Sequence, residues 1–245
     1  APHAPELATA LGDLAVLRDQ AGEFVESDSL FAEALRLRLA SLGPAHPDVG
    51  WIEMMMGEAQ AQRGQNEYAD SLLAAADSIF IRAFGVGHMS TARCDAVLGQ
   101  VRAARGDTAS AKPLFTRSGE AWAKELGPDH PRVARARLEM ATLDWIEGNG
   151  RAALAGALAA ESQSHRALRT ILRGLPERQA LSYAGMRASG LPLAMTLIAE
   201  GGGSLAVRRE LADCVVHARA DVFDELATLH RAVMTGPTSD ALATL

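Results

Sequence analysis

Histidine and cysteine are the side chains with which this chain could most readily hold a metal or attack a substrate. His46, His88 and His130 recur at intervals of 42 residues, and Cys214 and His217 stand three apart. On one helix, Cys214 and His217 would share a face. Two ligands are too few for a structural zinc, which takes four, and Cys214 borders an apolar stripe, so it reads as a core cysteine. Cys94 makes a poor nucleophile case, because the sequence sets no base beside it to take the proton. A phosphate loop cannot be written without a Gly-Lys dipeptide, and neither HExxH nor GxSxG occurs. The chain is therefore expected to be no enzyme in itself, with no catalytic residues, no metal site and no cofactor.

The three histidines acquire a meaning from what surrounds them. "LGPAHP" (residues 42–47) and "LGPDHP" (residues 126–131) are near copies, and "FGVGHM" (residues 84–89) lies midway between them. A second series, Gly22, Gly64, Gly106 and Gly148, keeps the same 42-residue interval. Each of its glycines follows one helix-like run and precedes another, where a tight turn needs positive φ. Before each comes a large-small pair: Leu14-Ala15, Met56-Gly57, Leu98-Gly99 and Met140-Ala141. After it come Ser27, Ala69, Ala111 and Ala153 in one column, then Phe31, Leu73, Phe115 and Ala157, then Ala34, Ala76, Ser118 and Ala160. The pattern predicts helices over 6–20 and 25–41, 47–63 and 67–83, 89–105 and 109–125, and 131–147 and 151–172. In the linkers, glycine ends one helix, the first proline blocks its continuation, and the second opens the next. The histidines then read as hydrogen-bonding linker residues. "FGVGHM" lacks both prolines, so it is expected to be the most mobile joint, with Ser90 as the N-cap of the following helix.

Composition agrees. The chain has 245 residues, only 4% of them aromatic, and is rich in alanine and leucine, which suits helices packed through small residues. Its 24 basic against 30 acidic residues leave a net charge of -6, so the attraction that non-specific nucleic-acid binding needs is missing. No run of apolar residues is long enough to span a bilayer, and the first residues lack a signal-peptide pattern. Two distant cysteines make no disulfide framework, which favours a reducing, cytoplasmic setting.

The order large-small, glycine turn, small, large, small resembles the tetratricopeptide repeat, in the 42-residue variety of kinesin light chains and many bacterial proteins. The resemblance implies an all-α fold: a right-handed α-solenoid of helix-turn-helix repeats over residues 1–172, about four in number, followed by a helical connecting and capping region over 173–245. Ala1, Pro2 and Pro5 fall in the columns of Gly43, Pro44 and Pro47, so a further repeat is expected upstream. The family's binding positions, carried over in phase, pick out Trp51, Met54, Glu58, Arg93, Gln100, Arg135, Leu138, Thr142 and Trp145 as a concave groove for a protein or peptide partner. The asparagines with which kinesin light chains read acidic peptides have no counterpart here beyond Asn66 and Asn149, both at turns, so that ligand class is not carried over.

Beyond His165 the rhythm stops. Breaks fall at Gly174-Leu175-Pro176 and Gly201-Gly202-Gly203. Then Leu211, Val215, Ala218, Val222, Leu226, Leu229 and Val233 form one apolar stripe, so a helical hairpin is expected to cap the array. Leu175, Glu177, Arg178, Ala180 and Leu181, with Arg219, Asp224, Glu225 and Leu226, resemble the segment joining tetratricopeptide repeats to a CHAT domain, a caspase-like cysteine peptidase fold, in bacterial proteins. Pro176 replaces the commoner serine, and Gly190-Leu191-Pro192 interrupts a stretch that is usually Ser-Leu-Asp. The resemblance implies an interaction and regulatory module that senses a trigger or recruits substrate for a peptidase domain elsewhere in the parent chain. The alternative is a free-standing scaffold without an enzymatic partner domain.

Overall fold

The computed structural model describes residues 4–172, 188–200, 208–209 and 211–215. The helices whose bounds lie among them are α1 (Ala4–Gln20), α2 (Phe24–Leu42), α3 (Pro47–Gln62), α4 (Asn66–Phe84), α5 (Met89–Ala104), α6 (Thr108–Leu126), α7 (Pro131–Ile146), α8 (Gly150–Leu172) and α9 (Leu191–Ala199), and residues 208–209 and 211–215 are helical too. No strand occurs among these residues. The fold is all-α, of the helix-turn-helix solenoid class. Two compact units divide the chain, Ala1–Glu125 and Leu126–Leu245. The division expected at residue 172 falls beside 173–187, which lie outside the described residues.

In the first unit the hairpins α1/α2 and α3/α4 pack internally, α2 packs on α3, and α4 packs on α5. The fit within a hairpin is large into small. Phe31, Leu73 and Phe115, from the second helices, are 1%, 0% and 1% exposed, and each such burial contributes about 2–3 kcal/mol. They seat where the first helix has least side chain: a Cβ on Gly57 would lie 2.6 Å from Leu73 Cγ, and one on Gly99 would lie 2.8 Å from Phe115 Cε1.

The turns have one geometry because they have one sequence logic. Gly22, Gly64 and Gly106 sit at φ 81°, 79° and 81°. After each, an N–H reaches back five residues: Glu23 to Arg18, Gln65 to Gln60 and Asp107 to Arg102, all at 2.9 Å. That bond closes a Schellman motif and satisfies carbonyls that the helix end leaves open. Polar staples recur at the same period. Gln60 on α3 and Arg63 just past its end donate to Asp28 on α2 at 3.1 and 2.9 Å. One repeat on, Arg102 on α5 and Arg105 just past its end pair with Asp70 on α4 at 2.9 and 3.2 Å.

The linker histidines cap helices. Nδ1 of His46 accepts the Asp48 N–H at 3.1 Å, His88 that of Ser90 at 3.1 Å, and His130 that of Arg132 at 3.2 Å. This corrects one expectation: at residues 84–89 the N-cap is His88, and Ser90 is the residue whose amide it satisfies.

In the second unit α7 pairs with α8, and α9 lies on α8. The fourth hairpin reverses the size pattern. Ala157 stands where Phe31, Leu73 and Phe115 stand, and the close approach passes to Gly156, whose Cβ would lie 2.9 Å from that of Ala141. Leu154 and Leu158 form a cluster with Ala194, Leu197 and Leu211, and Cys214 and Val215 pack against it. These are the described parts of the expected cap. The stripe beyond Val215, His217, and the residues that resemble the CHAT connection lie outside the described residues. No helix among the described residues is long and apolar enough to cross a membrane.

Candidate partner-binding surface

Four residues on each of two neighbouring helices share a face. On α3 they are Trp51, Met55, Glu58 and Gln62, and on α5 they are Arg93, Val97, Gln100 and Ala104. Steps of four, three and four keep one direction on a helix. The guanidinium of Arg93 lies 5.7 Å from the Trp51 ring centroid. Its Nη2 also donates to both Glu58 carboxylate oxygens, at 3.0 and 3.1 Å. Trp51, Arg93 and Glu58 therefore form one connected set, in which the cation is held by a π face and a carboxylate together. Beside it an open depression of about 380 Å³ is bordered by Glu58, Gln62, Asn66 and Gln100, with Val97 and Ala104 among the apolar residues of its floor.

Met54 does not belong to this surface. It is 0% exposed, in a core cluster with Leu73, Phe80 and Leu98. One residue along, Met55 holds the column of Val97 and lies on the partly exposed side. Helical periodicity explains the correction: from Trp51, a step of four stays on the face, whereas a step of three at this place turns into the core. Trp51 itself is half-buried, its ring centroid 5.2 Å from that of Phe80, so it supports the surface as much as it forms it.

In the second unit, α7 places Arg135, Leu138, Thr142 and Trp145 along one side. Arg135 is exposed, with its guanidinium 4.0 Å from Glu139. Leu138 and Thr142 are half-buried, and the Thr142 hydroxyl donates to the Leu138 carbonyl at 2.9 Å. Trp145 is 37% exposed, and its indole N–H donates to the Glu200 carboxylate at 3.4 Å.

Two polar clusters had no sequence signal. In the first unit, Arg117 on α6 bridges Asp95 on α5 and Asp77 on α4. Burial of Asp95 pushes its carboxyl up to about 6, against the pull of Arg117. In the second, the fully buried Glu161 on α8 accepts from the Ser189 hydroxyl at 2.8 Å and the Gly190 N–H at 2.9 Å, and lies 3.1 Å from His165 Nε2. A carboxylate there satisfies the Gly190 backbone donor at the start of α9, while the Leu191 N–H donates to the Ser189 hydroxyl at 3.4 Å. The thiol of Cys94 is buried and donates to the Leu73 carbonyl at 3.4 Å, and burial raises its pKa, so it is no nucleophile. Among the described residues, no three His, Cys, Asp or Glu side chains are placed to hold a metal ion.

Residues 7–48 match a family model described as Tetratricopeptide repeat. No curated protein matches the sequence. Among solved structures, the chain is similar to BtubC (BKLC) from P. vanneervenii, with a TM-score of 0.69 and 16% identity over 95% of this chain and 83% of that one. It is also similar to a Podosopora anserina protein of kinesin-light-chain type with nearly identical TPR-like repeats, with a TM-score of 0.65 and 18% identity over 90% of this chain and 98% of that one. A point variant of that protein matches with a TM-score of 0.65 and 18% identity over 94% and 98%. At these identities the likeness is one of fold. The chain carries a tetratricopeptide-repeat region whose structural neighbours are of the kinesin-light-chain kind.

Proposed function

We propose that the chain is a protein–protein interaction module and that its ligand is a peptide segment laid along α3 and α5 over the depression beside Glu58. Tetratricopeptide-repeat folds serve as interaction scaffolds, and the site offers recognition chemistry without reactive groups. The observation that carries the proposal is the set of three carboxamides, Gln62, Asn66 and Gln100, around one hollow. A carboxamide donates and accepts as a peptide bond does, so three of them can pair with backbone whatever its side chains. The Arg93–Glu58 pair then biases the choice of sequence through charge. On α7, Arg135, Leu138, Thr142 and Trp145 are proposed as further partner contacts, with Trp145 as the aromatic anchor.

Panning a random peptide library against the chain tests this, with affinities of the enriched peptides read by fluorescence polarisation. Gln100→Ala and Asn66→Ala should each weaken binding about five- to tenfold, the worth of one hydrogen bond. Unchanged affinity in both variants would remove the depression from the ligand path.

The module is further proposed to serve a CHAT-type cysteine peptidase in a bacterial, cytoplasmic parent chain, recruiting its substrate or sensing its trigger. Support comes from the sequence resemblance beyond Leu175. A free-standing scaffold accounts for the fold equally well. The coding sequence past Leu245 separates the two: an α/β segment with a histidine and a cysteine supports the peptidase parent, and a stop codon removes it. Nucleic acid is not proposed as a partner, given the net charge of -6.

A further inference from the structure

One buried charge beside α1 and α3 breaks the repeat rule. Arg38, near the end of α2, shares its 42-residue column with Phe80 on α4 and Trp122 on α6. All three are buried, at 8%, 0% and 5% exposed. Phe80 uses that place to pack on Trp51, with ring centroids 5.2 Å apart. A ring fills such a place without electrostatic cost, whereas a guanidinium taken out of water is held only as far as its N–H groups find acceptors. Arg38 finds two: Nη1 lies 2.9 Å from the Asp48 carboxylate, and Nη2 donates to the Thr9 hydroxyl at 2.6 Å. Its Nε is buried and makes no hydrogen bond. A charge kept where the next two repeats place a ring, with a donor left over, calls for a partner.

Arg38 borders a hollow of about 200 Å³ that also has Trp51, Ile52 and Met55 as apolar walls and Asp13 on its border. Asp13 is exposed, and no described cation pairs with it. Thr9 and Asp13 hold on α1 the columns that Trp51 and Met55 hold on α3, so the hollow extends the candidate partner-binding surface by one helix. An occupant therefore meets a spare donor and a spare carboxylate in one small space. A carboxylate ligand would meet the donor but be repelled by Asp13 and Asp48. An ammonium ligand would meet Asp13 but leave Nε unpaired and set a second cation beside the guanidinium. A carboxamide answers both, because its oxygen accepts while its NH2 donates.

We infer that this hollow takes the side chain of a glutamine in the bound peptide, its oxygen accepting from Arg38 Nε, its NH2 donating to Asp13, and its methylenes against Trp51 and Met55. The assignment rests on the reading of this face as a peptide-binding surface and adds one side chain that the peptide carries. Because Nε is covered, the guanidinium tilts on binding, and its N–H resonance reports that step.

The test titrates the full chain with N-acetyl-glutamine N-methylamide and follows the Arg38 Nε–H and Trp51 indole N–H resonances. Both should shift saturably, and the corresponding glutamate and lysine derivatives should bind at least about tenfold more weakly. Asp13→Ala, at an exposed position, should weaken glutamine binding about five- to tenfold and narrow its lead over glutamate. Gln100→Ala should leave the titration unchanged, since Gln100 borders the other depression. A preference led by glutamate or lysine would overturn the inference, as would equal shifts from all three derivatives or no shift at either resonance. Library peptides that lose affinity with Gln100→Ala, yet carry no common glutamine and ignore Asp13→Ala, would overturn it too while leaving the peptide-binding reading in place.

Discussion

Replacing Gly190 with alanine should unseat α9 from α8. A Cβ at that position would lie 1.9 Å from the Ala157 carbonyl oxygen and 2.7 Å from its carbonyl carbon. Both are backbone atoms of a helix, so no side chain can turn aside, and relief requires a shift of more than about 1 Å across a close-packed contact. Such a shift lifts Ala194 and Leu197, 0% and 5% exposed, off Leu154 and Leu158, each 6% exposed. The burial at stake is roughly 3–5 kcal/mol, partly offset by the freedom that a nine-residue helix regains. A net loss near 3 kcal/mol shifts the docking equilibrium more than a hundredfold. Hydrogen exchange is the assay: amides of residues 191–199 should lose protection while those of α1–α4 keep theirs. Leu197→Ala is the graded control, expected to cost about 2–3 kcal/mol by cavity formation without backbone conflict. Protection at 191–199 unchanged in Gly190→Ala would refute the reasoning, because it would mean that the turn accepts a side chain where the geometry leaves no room.

Three further perturbations probe the rest of the molecule. Gly99→Ala sets a methyl 2.8 Å from the Phe115 ring, so despite the better helix propensity of alanine it should destabilise the first unit by about 1–2 kcal/mol in urea melts. The Asp95 carboxyl, raised by burial to about 6 from an unfolded value of 3.8, binds its proton more tightly in the folded chain. Its contribution is therefore greatest at low pH and is lost as pH rises through about 6, so the stability difference between wild type and Asp95→Asn should narrow from pH 7 to pH 5. His130 behaves oppositely. Burial, with Arg132 beside it, holds its imidazole below 6.5, so its capping contribution is full above that value and fades as pH falls, a slope that His130→Ala should remove from the melting profile of the second unit.

The repeat was legible in the sequence because each column recurs. Glycine after a helix, a large side chain opposite a small one and a linker that stops and restarts the chain are local requirements repeated three or four times, so helix bounds follow within two residues. Eight of the nine groove residues expected from the family's phase fall at exposed or half-buried positions of α3, α5 and α7, and Met54 does not, because the outward stripe of α3 runs through Met55. The buried acids were illegible for the converse reason. The column of Arg117 holds Glu33, Ala75 and Ala159 elsewhere, and the column shared by Asp77 and Glu161 holds Leu35 and Gly119. Acids do recur, Glu53 in the column of Asp95 and Glu161 in that of Asp77, but the cation that joins them occurs only as Arg117, so the network as a whole leaves no periodic trace.

The joint at residues 84–89 shows how the same geometry survives the loss of its prolines. Prolines restrict the linker by fixing φ before any contact forms. Here contacts supply the restriction afterwards: the Thr91 hydroxyl donates to the Gly85 carbonyl at 2.9 Å, and the Phe84 ring stacks on His88 with centroids 4.5 Å apart. Gly85 reaches φ 88°, beside 79° at the proline-bearing Gly43. The added bond is worth about 1 kcal/mol and the ring contact about as much again, similar to the roughly 0.4–1 kcal/mol that each proline contributes through the unfolded chain. The two joints of the first unit should then exchange amide hydrogens at similar rates, against the expectation of a loose centre drawn from sequence alone. Thr91→Val, which keeps the shape and removes the donor, should speed exchange at residues 85–89 about fivefold, the worth of one hydrogen bond, and leave residues 43–47 unchanged. Faster exchange at 85–89 already in the wild type would show that the prolines, and not the contacts, set the stiffness of a linker.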